Sequence, residues 1–352
     1  MEEKKRLIYP DVLRIVSIFA VIVIHAVGEL WKIFPMHSKS WISLVTIDSM
    51  VRFAVPVFVM VSGIFMLSPA KDRSLKDLYS KKILRIATSF AFWSVIYLVY
   101  RMFFDINHKI FPVKIIIGKL ILGEYHMWFM YMIIGLYMVT PFIRKITDSK
   151  SSMQYFLILW FAFCILKNFA KLIPGMDDFV FKFSDSFKFS IAVEYSGYYV
   201  LGYYLHNFPL KKPSRIFVYI LSLFSVATTA FLTVYVSFKS SECVSKYFEY
   251  LLPTTLFSSI SVFSFIQNIC KDKNPTAGTR KRIATLSKIS FGVYLSHLLV
   301  MMAVKQICLT HFSLPGYAIF GILVVSTTVI SPIISYVLNN SKDPTGRTGF
   351  RK

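Results

Sequence analysis

The chain has 352 residues, of which 55% are hydrophobic and only 16% are charged, and its mean hydropathy is +0.59. Soluble domains average about 25% charged residues, so this composition excludes a fold that exposes its whole surface to water. The chain is therefore predicted to be an integral membrane protein. Its formal net charge of +22 would be typical of nucleic-acid binding in a soluble protein. In a membrane protein such charges lie in the loops and orient the helices, so we expect no nucleic-acid partner.

Ten apolar segments are each long enough to cross a hydrocarbon core about 30 Å thick. They cover residues 12–31, 46–67, 83–104, 126–143, 153–173, 190–208, 215–238, 251–270, 289–310 and 316–338. We expect an all-α bundle of about ten transmembrane helices, forming a single domain over residues 1–352. Between these segments, residues 111–124 are predicted to form a short helix in the outer membrane interface, and residues 271–288 a polar linker.

Most of the 40 lysines and arginines fall in alternate loops, beginning with the N-terminal segment. Because cytoplasmic loops carry an excess of lysine and arginine, this asymmetry predicts that both termini are cytoplasmic. The basic loops also create a positive inner face, which would attract anionic lipid head groups or a phosphorylated cytosolic cofactor. Alternatively, these charges do no more than orient the helices.

The first helix carries three ionisable residues, Asp11, Arg14 and His25, at depths where such groups are costly. Arg14 and His25 are separated by three turns to within about 20°, so they lie on one face about 16 Å apart along the axis. Arg14 is then predicted near the inner interface and His25 near the bilayer centre. The alternative is that Arg14 extends to the head groups and His25 makes an interhelical hydrogen bond.

The second helix contains Asp48, Arg52 and Pro56 and ends near Ser62-Gly63. Proline removes one backbone donor and leaves the carbonyl of Arg52 without its helical partner, which predicts a kink inside the bilayer. Such a break is tolerated where the backbone faces protein or a wet cavity. Ser62-Gly63 permits a close approach at a site, or serves helix packing alone.

Further histidines lie next to aromatic residues. His126 and Trp128 open the fourth helix at the outer interface, where Trp128 alone would be an ordinary membrane anchor. Tyr294 and His297 are three residues apart in the ninth helix, hence on one face, and His297 could share a cavity with His25. A neutral histidine can take a proton from a hydroxyl, so His25 is the candidate general base. The four scattered cysteines predict neither a zinc site nor a disulfide framework.

At these residues the chain resembles the acyltransferase family 3, bacterial membrane O-acyltransferases that modify sugars of envelope glycans. The resemblance is carried, in chain order, by Asp11-x-x-Arg14 with His25, by Pro56 to Ser62-Gly63, by Lys81-Lys82 with Arg85, by His126-x-Trp128, and by Ser290 to His297. It implies a multi-pass protein of the bacterial plasma membrane with an acyltransferase-3-like bundle. Its partners would be an acyl-CoA such as acetyl-CoA, used as co-substrate, and a glycan or glycolipid acceptor, with no bound cofactor and no metal.

The resemblance also assigns roles to these residues. His25 and Arg14 would be catalytic, and the donor would be held by Arg14, Asp11, Arg85, Lys81, Lys82 and Ser62. The residues that orient the acceptor or stabilise an oxyanion would be His126, Trp128, Tyr294, His297 and Arg52. Direct transfer to the acceptor and transfer through an acyl-enzyme intermediate both remain open.

Two other classes of function are alternatives to an acyltransferase. A secondary transporter or flippase for a glycan or lipid would use intramembrane charges as substrate contacts, although no matching pair of interrupted helices marks an inverted repeat. A non-catalytic scaffold would leave Arg14 and His25 unexplained. Cleavage of acetyl-CoA by the purified protein would separate the three.

Overall fold

The computed structural model describes residues 7–31, 33–69, 74–104, 112–173, 176, 194–311 and 315–340. These described residues form helices and connecting turns, with no strand among them. The predicted all-α class is therefore confirmed.

The described residues contain twelve helices of ten or more residues. They are α1 (Tyr9–Leu30), α2 (Lys39–Val51), α3 (Ala54–Met66), α4 (Leu84–Phe104), α5 (Val113–Leu122), α6 (Trp128–Ile146), α7 (Lys150–Trp160), α8 (Ser196–Asn207), α9 (Lys212–Ser240), α10 (Pro253–Cys270), α11 (Ala277–His311) and α12 (Gly316–Asn340). A short helix, Leu75–Asp77, and a π-helical turn, Leu78–Ile83, lead into α4, and a second π-helical turn, Phe161–Leu166, extends α7. The predicted interfacial helix of residues 111–124 corresponds to α5.

Within the described ranges, nine helical segments are long and apolar enough to cross a membrane. The tenth predicted segment, residues 190–208, begins outside these ranges, and its described part, α8, has only 12 residues. The exact number of crossings and the orientation with both termini cytoplasmic stay predictions.

The predicted kink in the second segment coincides with a short interruption of the regular α-helix, within one apolar span from Lys39 to Met66. Residues 46–67 were expected to form one helix, but α2 ends at Val51 and α3 begins at Ala54, with a turn at Arg52 and Phe53 between them. Pro56 has no N–H to donate to the carbonyl of Arg52, so the helical ladder is interrupted at this position. The Arg52 side chain at this interruption is 17% exposed.

The prediction of a polar linker at residues 271–288 is wrong from Ala277 onwards. Helix α11 begins at Ala277 and runs for 35 residues, so it extends well before the apolar segment that starts near residue 289. Thr276 explains the early start, because its Oγ1 accepts a hydrogen bond from the backbone N–H of Thr279 at 3.3 Å, which caps the first turn. The basic residues of 280–288 are consequently held on a rigid helix.

The bundle is organised around α1, which packs against α2, α3, α10, α11 and α12. Helices α3 and α8 approach each other closely at two glycines. A Cβ at Gly63 would lie 1.9 Å from the carbonyl oxygen of Tyr199, and one at Gly202 would lie 2.1 Å from that of Met60. Only glycine fits at these two positions, so Gly63 serves close helix packing. The contact fixes α3, and with it Ser62, against the rest of the bundle.

Candidate active site

A cavity of about 690 Å³ lies between α1, α3, α4, α6 and α11. Arg14 and His25 both line it, as expected for two residues on one face of α1. Ser62 of α3 lines it as well. The cavity has a basic part and an aromatic part. His25 lines the same cavity as the residues of these two parts.

The basic part of the cavity is made by three separate stretches of chain. Its positively charged lining residues are Arg14, Lys82, Arg85, Lys281 and Lys288. Among the described residues, no aspartate or glutamate lines the cavity with them. Positive charges gathered in a concave, partly apolar site focus the field on an anionic ligand. The arrangement is therefore suited to a ligand that carries several negative charges.

Arg14 lies where this cavity meets a second one of about 540 Å³. Its guanidinium carbon is 4.7 Å from the centre of the Phe65 ring, which holds the side chain in place. The second cavity is lined largely by apolar and aromatic residues, and Arg14, Ser62, Lys82 and Tyr137 border both cavities. A ligand long enough to occupy both cavities would therefore contact Arg14 near the middle of the ligand.

Two residues of the predicted donor site lie outside the cavity lining. Asp11 is buried, and it accepts a hydrogen bond at 2.6 Å from the Oγ of Ser287, a residue of α11 that lines the cavity. The Lys81 ammonium pairs with Asp77 at 2.6 Å, and its side chain is 71% exposed. The neighbouring Lys82 lines the cavity instead. Of this lysine pair, only Lys82 faces the site.

Three histidines from distant parts of the chain meet next to the cavity. The ring centroid of His25 is 5.0 Å from that of His297 and 6.1 Å from that of His126. The rings of His126 and His297 are 5.1 Å apart. The sequence led us to expect that His297 could share a cavity with His25, with His126 treated separately, and the structure brings all three rings into one cluster. Within the described residues, no set of three or more His, Cys, Asp or Glu side chains has the arrangement of a metal site.

Hydrogen bonds fix the orientation of His297. Its Nδ1 lies 2.6 Å from the carbonyl oxygen of Tyr294. A carbonyl oxygen only accepts, so Nδ1 carries the hydrogen and Nε2 of the neutral ring is an acceptor. That Nε2 is buried and has no hydrogen-bond partner within the described chain. The Tyr294 hydroxyl in turn donates to the carbonyl oxygen of His126 at 2.5 Å, which links the two histidines through one tyrosine.

The aromatic part of the cavity surrounds the other side of His25. The hydroxyl of Tyr125 lies 3.2 Å from Nδ1 of His25. The Trp128 indole is 39% exposed and lies over the Tyr250 ring, with centroids 6.0 Å apart and an angle of 26° between the planes. Both rings line the cavity. Arg52 does not line it, but its guanidinium covers the Phe248 ring at 4.3 Å and pairs with Asp48 behind this wall.

The segment that carries Tyr125, His126 and Trp128 is anchored at its start. Glu124 accepts two hydrogen bonds from the Arg101 guanidinium, at 2.8 and 3.3 Å. Such a bidentate contact fixes the carboxylate in direction as well as in distance. The preceding Gly123 has a φ of 69°, a backbone conformation that glycine adopts without strain. The turn thereby holds His126 towards the other two histidines.

Sequence patterns alone did not indicate several residues of the site. Lys281 and Lys288 were counted only as loop charges, although their spacing of seven residues is typical of one helical face. Tyr125, Tyr137 and Tyr250 carry no signal of this kind in a chain with 20 tyrosines. Their positions depend on contacts between distant segments.

The sequence model of the acyltransferase domain matches residues 7–336, nearly the whole chain. The chain belongs to the acyltransferase family 3. No curated protein and no solved structure matches it. For a membrane protein of this acyltransferase family, the cavity that joins a cluster of histidines to a basic surface is the candidate active site.

Proposed function

We propose that this protein is a membrane O-acyltransferase that moves an acetyl or other short acyl group from acyl-CoA, at the cytoplasmic side, to a sugar hydroxyl. The acceptor is a polysaccharide or glycolipid of the bacterial cell envelope. One observation carries the proposal: Arg14, His25 and Trp128 line a single cavity that is basic at one end and aromatic at the other. Acyl transfer requires a general base between the site of the anionic donor and the site of the acceptor. In this proposal His25 has that position, between the basic and the aromatic end of the cavity.

The charge of the basic end supports a CoA thioester as the donor. CoA carries a pyrophosphate and a 3′-phosphate, together roughly four negative charges at neutral pH. Five cationic side chains line the cavity: Arg14, Lys82, Arg85, Lys281 and Lys288. Among them, an arginine can bind two phosphate oxygens at once, whereas each lysine contributes a point charge. The lining therefore balances the charge of the nucleotide end of the donor.

The depth of His25 fits the length of the donor. His25 lies about 16 Å above Arg14 along α1. This distance is comparable to the reach of an extended pantetheine arm. With the phosphates near Arg14, the thioester would lie beside the histidine cluster.

The aromatic end supports a sugar as the acceptor. A sugar ring presents C–H groups on its faces and hydroxyls at its edge, so it stacks on an indole or phenol while the hydroxyls remain free. Trp128 and Tyr250 offer such a surface at the cavity wall. A sugar held there would occupy the same cavity as His25.

The proposed reaction is a single acyl transfer. The His25 imidazole takes the proton of the acceptor hydroxyl as its oxygen attacks the thioester carbonyl carbon, and the carbonyl electron pair moves to the oxygen. As the tetrahedral intermediate collapses, the C–S bond breaks and the CoA thiolate leaves. The imidazolium then returns the proton to the sulfur, giving an ester and free CoA. A general base of this kind contributes about 10²- to 10⁴-fold in rate.

Other residues near His25 would orient it or stabilise charge. His297 presents an acceptor Nε2 to the cluster, so it would hold the His25 ring in one orientation and share the positive charge that develops there. Ser62 and Tyr125 supply hydroxyls that could donate to an oxyanion. If His25 instead attacks the thioester itself, an acyl-imidazole forms before the acceptor is acylated, and the same neighbours serve both routes.

Purified protein in lipid nanodiscs, supplied with radiolabelled acetyl-CoA and a glycolipid extract of bacterial membranes, tests the proposal. The expected result is transfer of label to the extract, which the His25→Ala variant should abolish while remaining monodisperse. His37→Ala is the matched control, because His37 is exposed and contacts only the Phe238 ring among the aromatic side chains described. Labelling by His25→Ala at the wild-type rate would refute the assignment of the base.

A further inference from the structure

Helix α11 presents two lysines to the basic end of the cavity. Lys281 and Lys288 both line it, and a spacing of seven residues places them within about 20° of each other around the helix. Thr285, between them on the same face, lines the cavity too. Arg282 is exposed and does not line the cavity. The orientation of α11 about its own axis therefore turns Lys281 and Lys288 towards the cavity and Arg282 away from it.

The adjacent rings of His25 and His297 allow depths on α1 and α11 to be compared. Both helices run from the predicted cytoplasmic side towards the histidines, and the two rings are 5.0 Å apart. Along its own helix, Lys288 lies about 14 Å below His297, and Arg14 lies about 16 Å below His25. These two cations are thus at nearly the same level. Lys281 is lower still, about 24 Å below His297.

We propose that Lys281 binds the 3′-phosphate of the CoA donor, while Arg14 and Lys288 bind its pyrophosphate. This inference rests on the proposed function, because it takes a CoA thioester as the donor. In CoA the pyrophosphate follows directly after the pantetheine arm, and the 3′-phosphate is attached to the ribose beyond it. Two levels of positive charge at increasing distance from the histidines match that order.

The assignment predicts a choice between donors. Acyl groups are carried in bacteria on CoA and on carrier proteins, and both present the same phosphopantetheine arm. Only CoA has the adenosine 3′-phosphate. A cation at the level of Lys281 therefore distinguishes the two donors at a point far from the acyl group. Lys281 is exposed at the cavity mouth, so its contribution should fall as the salt concentration rises.

Binding of CoA itself measures this contact without any knowledge of the acyl group or the acceptor. Isothermal titration of the protein in nanodiscs would compare CoA with 3′-dephospho-CoA for the wild type, for Lys281→Met and for Arg282→Met. Methionine keeps the length and apolar character of the lysine stem while removing the charge. Arg282→Met removes one positive charge from the adjacent position and thus controls for the overall field.

Wild type and Arg282→Met should bind CoA about tenfold more tightly than 3′-dephospho-CoA, the worth of one charge-assisted hydrogen bond. Lys281→Met should bind both ligands with the affinity that wild type has for 3′-dephospho-CoA. Equal binding of the two ligands by wild type would overturn the role of Lys281 and leave the CoA donor intact. If wild type bound neither ligand, the proposed donor itself would fail. A preference that Lys281→Met retains would place the 3′-phosphate elsewhere.

Discussion

The imidazole rings of His25 and His297 lie 5.0 Å apart, although they belong to the first and the eleventh helices of the bundle. Helices α1 and α11 are also joined by the hydrogen bond from Ser287 to Asp11. The two histidines are therefore held at a fixed separation. Because His297 donates through Nδ1 to the Tyr294 carbonyl, its acceptor Nε2 is free to serve the cluster.

Replacing His297 tests this relationship. His297→Asn keeps an amide donor near the Tyr294 carbonyl but has no group at the position of Nε2. Turnover should fall by about 100-fold, the cost of a small misplacement of a reacting group. CoA affinity should be unchanged, because the phosphates bind far from this residue. The measurements are acyl transfer at saturating donor and calorimetric CoA binding; a wild-type turnover would show that His297 serves packing alone.

His297→Gln offers a rescue that a purely structural role would not give. The glutamine side chain can place its terminal group near the position of Nε2. It should recover part of the activity that His297→Asn loses, and the pH at which turnover is half-maximal should differ from that of wild type. Equal activity and equal pH profiles of the two variants would contradict a role in holding His25.

Arg14→Lys should weaken CoA binding by roughly tenfold, even though the charge is retained. A guanidinium can donate to two phosphate oxygens, whereas an ammonium acts as one point charge. Lys81→Met is the matched control, since Lys81 is exposed and pairs with Asp77 outside the cavity. The measurement is calorimetry with CoA in nanodiscs. Unchanged affinity in Arg14→Lys and Arg14→Ala would mean that Arg14 does not contact the phosphates of CoA.

Gly63→Ala should destabilise the protein by about 1–3 kcal/mol, because the added methyl would overlap the backbone of Tyr199. Gly135→Ala in α6 is the control, since a Cβ there meets no atom within 4 Å. That control should be neutral or slightly stabilising, as alanine favours helix. Thermal unfolding in detergent, followed by intrinsic fluorescence, would compare the two. An unchanged midpoint for Gly63→Ala would show that α3 and α8 are further apart than described.

The contact between Arg101 and Glu124 should affect catalysis more than stability. Glu124→Gln replaces a bidentate carboxylate at the start of the turn that carries Tyr125 and His126. Small displacement of these side chains should lower turnover by about tenfold or more. Asp77→Asn breaks an exposed ion pair elsewhere and should leave turnover unchanged. A Glu124→Gln enzyme with normal turnover would remove the anchoring role.

The helical periodicity of the sequence predicted the relative position of site residues that belong to the same helix. The shared face of Arg14 and His25 follows from their spacing, and both residues line the cavity. The interruption of the helix near Arg52 follows from the chemistry of Pro56. Hydropathy located most of the apolar segments for the same local reason.

Residues whose position depends on the register between segments were not predictable in this way. The sequence offers Lys81 and Lys82 side by side, and only the π-helical turn at Leu78–Ile83 determines which of them faces the cavity. The early start of α11 was missed because Asn274 and Pro275 suggest a loop, whereas the cap at Thr276 begins a helix immediately after them. Tyr250 reaches the cavity through a turn between helices, for which no periodic pattern exists.

In the proposed function, one cavity connects a donor entrance on the cytoplasmic side to an acceptor entrance on the opposite side, with His25 between them. Thr285 and Trp128 line its two ends. Each would be replaced by cysteine in a background where the accessible Cys243 and Cys270 are serine. A membrane-impermeant maleimide would then be applied to sealed vesicles of each orientation, with and without desulfo-CoA, which has no thiol to react.

Thr285→Cys should be labelled only from the cytoplasmic side and should be protected by desulfo-CoA. Trp128→Cys should be labelled only from the opposite side, without protection. Labelling of both positions from the same side would contradict the predicted topology and, with it, transfer across the membrane through this cavity.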